Sequence, residues 1–469
     1  MARILVVGLD GVCWDFLEPW ITNGHLPNIE RLRDSGCWGV LKSVLPPVTC
    51  PAWKCYSMGK NPGKLGVYWW VNWSRDTGRI TPPNSSSFKS KDVWDYLGDA
   101  GLKVAVINMP TTYPPKRVNG VMVSGFGSPL DVDFNYRQKY TYPESLQKEL
   151  EEKYGYSPGI PVLDVDDGEK LVKQVSTLID SRFNYLLDIL ESGEFDFIHF
   201  TLFYINALQH HLGSHDLVLE VWKKIDSWIG KISGYGYSLI LMSDHGMMPI
   251  KSSFCINKWL EENGYLRLKE RYEGENRILK FVYRKSKIIA RLGKIMLPPS
   301  IKKRIIPKVA GRIPTMLLDE YVDWDNSQAV ALSQGPIYMN YKNVDDTVEF
   351  GKELARKLLK LDIDGVKPVE KVLTRDEVYC GRYLEQAPDL VLVASYGVEI
   401  YGGLTREKIV GHGDMRGWST GNHLEGFFLI HGPEIKESGE MDEISILDLS
   451  PTILHLMNQQ IPSDMDGIV

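Results

Sequence analysis

The sequence predicts an α/β fold with a largely parallel central sheet and helices on both faces. Three observations carry this. Short, wholly apolar runs recur along the chain, and amphipathic stretches of helical period lie between them. That is the pattern of strands buried on both faces alternating with crossover helices. In addition, several of the apolar runs close on a polar residue, which places side chains able to do chemistry at strand ends.

The first run, RILVVGLDG (3–11), is closed by Asp10-Gly11. KVAVINM (103–109), FDFIHFTLF (195–203), YSLILMSD (237–244) and DLVLVAS (389–395) repeat the type and are read as further strands. GEKLVKQVSTLIDSRFNYLLDILES (168–192) and DLVLEVWKKIDSWIGKI (216–232) are read as helices. At 469 residues the chain exceeds one simple core. Residues 1–249 and 321–469 are expected to form one α/β domain, and 250–320 an inserted cap or arm. From Arg277 to Arg312 the insertion is rich in Lys and Arg, and no acidic residue falls between Glu275 and Asp319. Such a segment is ordinarily a solvated basic helical pair. The sharper alternative is a lid for a polyanionic substrate, or a contact with an anionic surface.

A net charge of −6 argues against general nucleic-acid binding. The six cysteines lack CxxC spacing and read as reduced thiols. No apolar run reaches the roughly 18 residues of a membrane span. With an apolar strand starting at residue 2 or 3, these features lead to the expectation of a cytoplasmic protein.

In open α/β sheets ligands bind beyond the carboxyl ends of the strands. Asp10 closes the first strand there, and Asp244 and His245 close LILM. Thr49, in SVLPPVTCPAW, opens a helix between prolines, near unpaired amides and the positive end of a helix dipole. Taken singly, each has an ordinary reading: Thr49 a helix cap, Asp244-His245 a strand-end turn, His210 and His423 structural imidazoles. Taken together, histidine clusters and aspartates at strand ends fit a metal centre better. Lys54, Lys60 and Lys64 either neutralise phosphate or are exposed loop lysines. GVYWWVNW (66–73) is either a pocket wall or a buried apolar patch. His211, His215 and Asp216 are read as solvent-facing or structural, and His412 is left outside the ligand set.

GLDGVCWDFL, LPNIERLRDSG, PPVTCPAW, KNPGKLGVY, SDHGM, GNHLEGFFLIHGP and DLSPTILHLMNQQIPSDMDG stand in this order along the chain. Together they resemble the alkaline phosphatase superfamily, and within it the type I phosphodiesterase/nucleotide pyrophosphatase branch with its cytoplasmic phosphohydrolase/phosphomutase-like members. The resemblance implies an alkaline phosphatase-like fold and two divalent ions, zinc first, with manganese or magnesium as alternatives. Asp10, Thr49, Asp244 and His245 match the ligands of one ion; His210 and His423 match two ligands of the second. The family's third ligand to the second ion is an aspartate four residues before His210, where this chain has Asn206. The second site is therefore expected to be weak or empty. The implied function is phosphodiesterase or nucleotide pyrophosphatase hydrolysis through a phospho-threonine on Thr49, with a phosphorylated, nucleotide-like small molecule as partner. A phosphomutase, or a weakened homologue that only binds a phosphorylated ligand, is the alternative.

Overall fold

A computed structural model describes residues 2–128, 138–161, 163–270, 318–404, 408–413, 417–436 and 438–469. Strand β1 (Ile4–Leu9) is buried at every position. Alternation along it divides its side chains between two cores. Leu5, Val7 and Leu9 pack with helices α2 (Gly168–Ser192) and α4 (Asp216–Ile232) on one face. Ile4 and Val6 pack with helix α1 (Thr49–Met58) and the helix Leu449–Leu456 on the other. Helices α2 and α4 have the bounds read from their periodicity. Each starts on a side-chain cap: Asp167 accepts from Lys170 N, and His215 Nδ1 accepts from Leu217 N, so His215 is structural.

The central sheet runs in the order Gly439–Glu440, β2 (Cys37–Lys42), β9 (Glu425–His431), β6 (Ser238–Met242), β1, β5 (Phe197–Leu202), β3 (Val104–Ile107), β4 (Gly120–Val123), Thr141–Tyr142. Strands β6, β1, β5, β3 and β4 are parallel. Strand β9 is antiparallel to both β2 and β6. The α/β architecture with a largely parallel sheet covered on both faces is the one the sequence predicts.

A second core lies outside this sheet. Leu390–Ala394 belongs there, antiparallel to Pro336–Met339 and Val369–Thr374, in a four-stranded sheet completed by Ala329–Ala331. DLVLVAS is thus a strand, but of the smaller sheet, because an apolar run reports burial and not the identity of the strand's neighbours. Ser252–Cys255 and the helix Ile256–Glu262, expected from the sequence to belong to the insertion, contribute Phe254, Trp259 and Leu260 to this second core. The basic run 277–312 lies outside the described residues. From GVYWWVNW, Trp69, Val71 and Trp73 are at most 3% exposed and pack in the same core, so this stretch is the buried patch. Among the described residues, no helix is long and apolar enough to cross a membrane.

Helix α1 is held at both ends. Its C-terminus is closed by Gly59 in the left-handed region (φ 62°), a conformation open to glycine at little cost. The C-terminal segment then returns to it: Asp466 N donates to Gly59 O (2.8 Å), and Asn61 N donates to Asp466 Oδ2 (2.8 Å). Lys60 pairs with Asp464 (2.5 Å) and Lys64 with Asp466 (2.6 Å). Lys54 is buried against Asp92 (2.9 Å). All three lysines therefore have carboxylate partners, Lys60 and Lys64 beyond the end of α1 opposite Thr49, and none fits the phosphate-neutralising role.

Candidate active site

The carboxyl ends of β1, β5 and β6 meet in one place. Asp10 follows β1. Helix α3 (Tyr204–Leu212), carrying Asn206 and His210, follows β5. Asp244 and His245 follow β6, and from Gly246 the chain turns into β7 (Gly246–Pro249), paired antiparallel with β8 (Thr420–His423) so that Gly246 lies opposite His423. Thr49 is the first residue of α1. The residue before the helix is Val48, which makes no side-chain cap, so Thr49 is not the helix cap of its ordinary reading. Ala52 N, donating to Val48 O (3.0 Å), makes the first helical hydrogen bond, and Pro51 brings no amide to the first turn.

Ligand atoms of Asp10, Asp244 and His245 lie within 4.8 Å of one another. All three residues are fully buried, with Thr49 at 2% and Asn206 at 5% exposure. His245 Nδ1 faces Gly246 O (2.9 Å), an acceptor only, so Nδ1 carries the proton and Nε2 the lone pair. Around that nitrogen stand Asp244 Oδ2 (3.4 Å), Asp10 Oδ1 (3.9 Å) and Thr49 Oγ1 (3.4 Å). Asp244 Oδ1 accepts from Gly11 N (3.1 Å), whereas the buried Oδ2 has no hydrogen-bond partner. Burial, and then the charge of Asp244, push Asp10 well above the usual carboxylate range; burial raises Asp244 too, although His245 opposes it. Two buried carboxylates held above their ordinary range, an orphaned oxygen and an imidazole lone pair aimed between them form a donor set that fits a divalent cation.

Asn206 is part of this cluster. Its Nδ2 donates to Asp10 Oδ1 (2.5 Å), and its own Oδ1 is buried without a hydrogen-bond partner. His210 lies one turn along α3, its Nδ1 2.7 Å from Thr420 O and its ring stacked on Trp418 at 3.8 Å. His423 sits on β8, where Nδ1 accepts from Glu425 N (3.4 Å). Among the described residues, no group of three Asp, Glu, His or Cys ligand atoms at metal spacing includes His210 or His423. Thus the structure gathers Asp10, Thr49, Asn206, Asp244 and His245, and sets His210 and His423 on the elements bordering them. His412 pairs with Ser252 in the smaller module.

Two neighbours of the cluster are not evident in the sequence. Trp53 Nε1 donates to Asp10 Oδ2 (2.8 Å). Asn422 Nδ2 donates to Pro47 O (2.7 Å) and to His245 Nε2 (3.1 Å). The only signals were position: Trp53 stands one helical turn after Thr49, and Asn422 immediately before His423. Beside the cluster a cleft of about 240 Å³ opens between the two modules, lined by Pro47, Asn422 and His423 on one side and by Leu392, Tyr396 and Ile400 on the other.

A doubly covered α/β sheet with this cluster at its strand tips is an alkaline phosphatase-type architecture, the class of phosphoryl-transfer hydrolases. Residues 4–419 match the type I phosphodiesterase / nucleotide pyrophosphatase family, and the chain belongs to that family. No curated protein matches it in sequence. Solved structures that share its fold include the following three. Phosphonoacetate hydrolase from Sinorhizobium meliloti 1021, in complex with phosphonoformate, is 15% identical with a TM-score of 0.59, over 97% of this chain and 95% of that one. Murine ectonucleotide pyrophosphatase/phosphodiesterase 5, inactive and in complex with AMP, is 13% identical with a TM-score of 0.54, over 98% and 96%. The wild-type alkaline phosphatase PafA is 12% identical with a TM-score of 0.57, over 100% and 98%.

Proposed function

We propose that this chain is a metal-dependent phosphodiesterase or nucleotide pyrophosphatase whose nucleophile is Thr49. The observation that carries the reading is the position of the Thr49 hydroxyl, buried at the start of α1 and 3.4 Å from His245 Nε2 within the Asp10–Asp244–His245 cluster. Asp10, Asp244, His245 and Thr49 would hold a divalent ion, zinc first, with manganese or magnesium as alternatives. Such an ion, when bound, lowers the pKa of a ligated hydroxyl toward neutrality.

The chain's own groups then do the positioning. Pro47 and Pro51 on either side of Thr49 restrict the backbone around it, and a misplacement of about 1 Å in such an attack costs on the order of a hundredfold in rate. The first-turn amides of α1 and its dipole would attract a phosphoryl oxygen bound next to Thr49. Burial of the whole cluster keeps bulk solvent away from it. The cleft at Pro47, Asn422 and His423 would take the second substituent of a diester, a nucleotide-like group being the reading that family membership favours.

Attack by the Thr49 oxygen forms a phospho-threonine and releases one alcohol; water then releases the phosphoryl product. The test is a bis-aryl phosphodiester assay with Thr49→Ala, combined with intact-mass detection of a covalent phosphoryl adduct in the wild type. Turnover is expected to fall at least about a thousandfold in Thr49→Ala, with the melting temperature retained. Unchanged turnover in that variant excludes the nucleophile, and a phosphoryl group relocated on the substrate without release identifies the phosphomutase instead.

A further inference from the structure

Among the groups around this centre, Asn206 departs most from what a two-ion site requires. A second ion next to Asp10 would gain from compensating charge, because taking charge out of water is expensive and a carboxylate offsets that cost better than a neutral ligand does. Among the described residues, those carried over for that ion, Asn206, His210 and His423, bring no negative charge. Three observations add to this. The Asn206 amide presents an N–H donor, not its oxygen, to Asp10 Oδ1 (2.5 Å). His423 Nδ1 accepts the Glu425 amide (3.4 Å), so a neutral ring carries its proton on Nε2 and offers a donor where a ligand needs a lone pair. Finally, neither His210 nor His423 joins any triad of acidic, histidine or cysteine ligand atoms at metal spacing among the described residues. On the first-site side two carboxylates, an imidazole with its lone pair on Nε2, where Asn422 Nδ2 now donates, and an orphaned Asp244 Oδ2 converge.

We propose that this chain binds a single divalent cation tightly, at Asp10, Asp244, His245 and Thr49, and that the Asn206 amide, donating to Asp10 Oδ1, stands in for the charge of a second. The proposal rests on the reading of that cluster as a cation site. One dication against two carboxylates leaves the centre neutral, whereas two dications against three carboxylates would leave it positive by one. A neutral centre suits the single charge of a phosphodiester better than the double charge of a monoester.

The test counts ions without relying on turnover. Protein stripped with a chelator is titrated with zinc or manganese by calorimetry, and bound metal per chain is measured after dialysis. The wild type is expected to retain one equivalent, Asn206→Ala also one, and Asn206→Asp two. Two wild-type equivalents with affinities within tenfold of each other overturn the proposal, as does a folded Asn206→Asp that still binds one. Should Asn206→Asp not fold, the wild-type and Asn206→Ala counts decide. Retention of no ion by the wild type, or of a full equivalent by Asp244→Asn, removes the cation-site reading itself and the proposal with it.

Discussion

At the scale of single residues, the site depends on groups that touch no substrate. Trp53 is the clearest: its indole N–H holds Asp10 Oδ2, and its ring stands over Gly8, where an added Cβ would lie 2.4 Å from a ring carbon. Removing the donor while keeping the bulk isolates its contribution. Trp53→Phe is expected to fold and to lose roughly 10–100-fold in cation affinity, the usual cost of deleting a partner that orients a ligand; calorimetric titration of the stripped protein reads it, and an unchanged affinity would show that Asp10 needs no orienting donor. Gly8→Ala pushes a methyl into that ring and is expected to destabilise by about 1–3 kcal/mol, read as a lower urea midpoint. Neither dependence was legible in the sequence, where Trp53 and Gly8 look like ordinary core residues 45 positions apart. That Asp10, Asp244 and His245 stand at strand ends was legible, because polar groups directly after apolar strands are conspicuous, and Thr49 stood out by its place at a proline-flanked helix start. Nothing in the sequence revealed which neighbours hold them.

Helix α1 and strand β5 meet over a buried polar network behind the site. His199 of β5 lies between Tyr56 Oη (3.2 Å) and Thr201 Oγ1 (2.8 Å), and burial lowers its pKa from 6.5 to about 3. The sign follows from linkage. The unfolded chain takes up this proton near pH 6.5 and the folded chain only near 3, so the contribution is complete above pH 6.5 and is lost as pH falls between those values. The slope is at most about 1.4 kcal/mol per pH unit. His199→Gln, which does not titrate, is therefore expected to flatten the melting temperature between pH 6.5 and about 4 relative to the wild type; parallel profiles for the two proteins would exclude His199 as a source of acid lability. Nearby, Asp92 accepts from Lys54 (2.9 Å), Ser57 (2.6 Å) and Lys116 (2.6 Å). Burial alone would raise its pKa, but the two lysines outweigh that and hold it below the usual value. Asp92→Ala leaves Lys54 buried and unpaired, and is expected to cost on the order of 3–5 kcal/mol, measured by urea denaturation.

For the whole molecule, the strand tips of one sheet and the smaller module together frame the cleft, so a bound ion stabilises the folded state by mass action. At a hundred times its dissociation constant an ion adds about 2.7 kcal/mol. Chelation is expected to lower the melting temperature by several degrees in the wild type and to leave Asp244→Asn unchanged, as read by differential scanning fluorimetry. Equal shifts in both proteins would mean that the chelator acts elsewhere. The parallel sheet was readable because β1, β5 and β6 are buried on both faces and say so in composition. The smaller module was not, because Leu390–Ala394 carries the same apolar signature while pairing in another sheet, and composition does not say which sheet a strand joins.

The clasp between the chain's end and the helix that bears Thr49 has its own consequence. Lys60 is gripped by a carboxylate 404 residues downstream, and the next turns of the tail close over Gly59. A version shortened before Asp464 would keep every candidate ligand and nearly all of both cores, yet it would free the back of the lever on which the hydroxyl rides. Aim would fail before architecture did: such a molecule would lose turnover on warming while its circular dichroism still reported an intact fold.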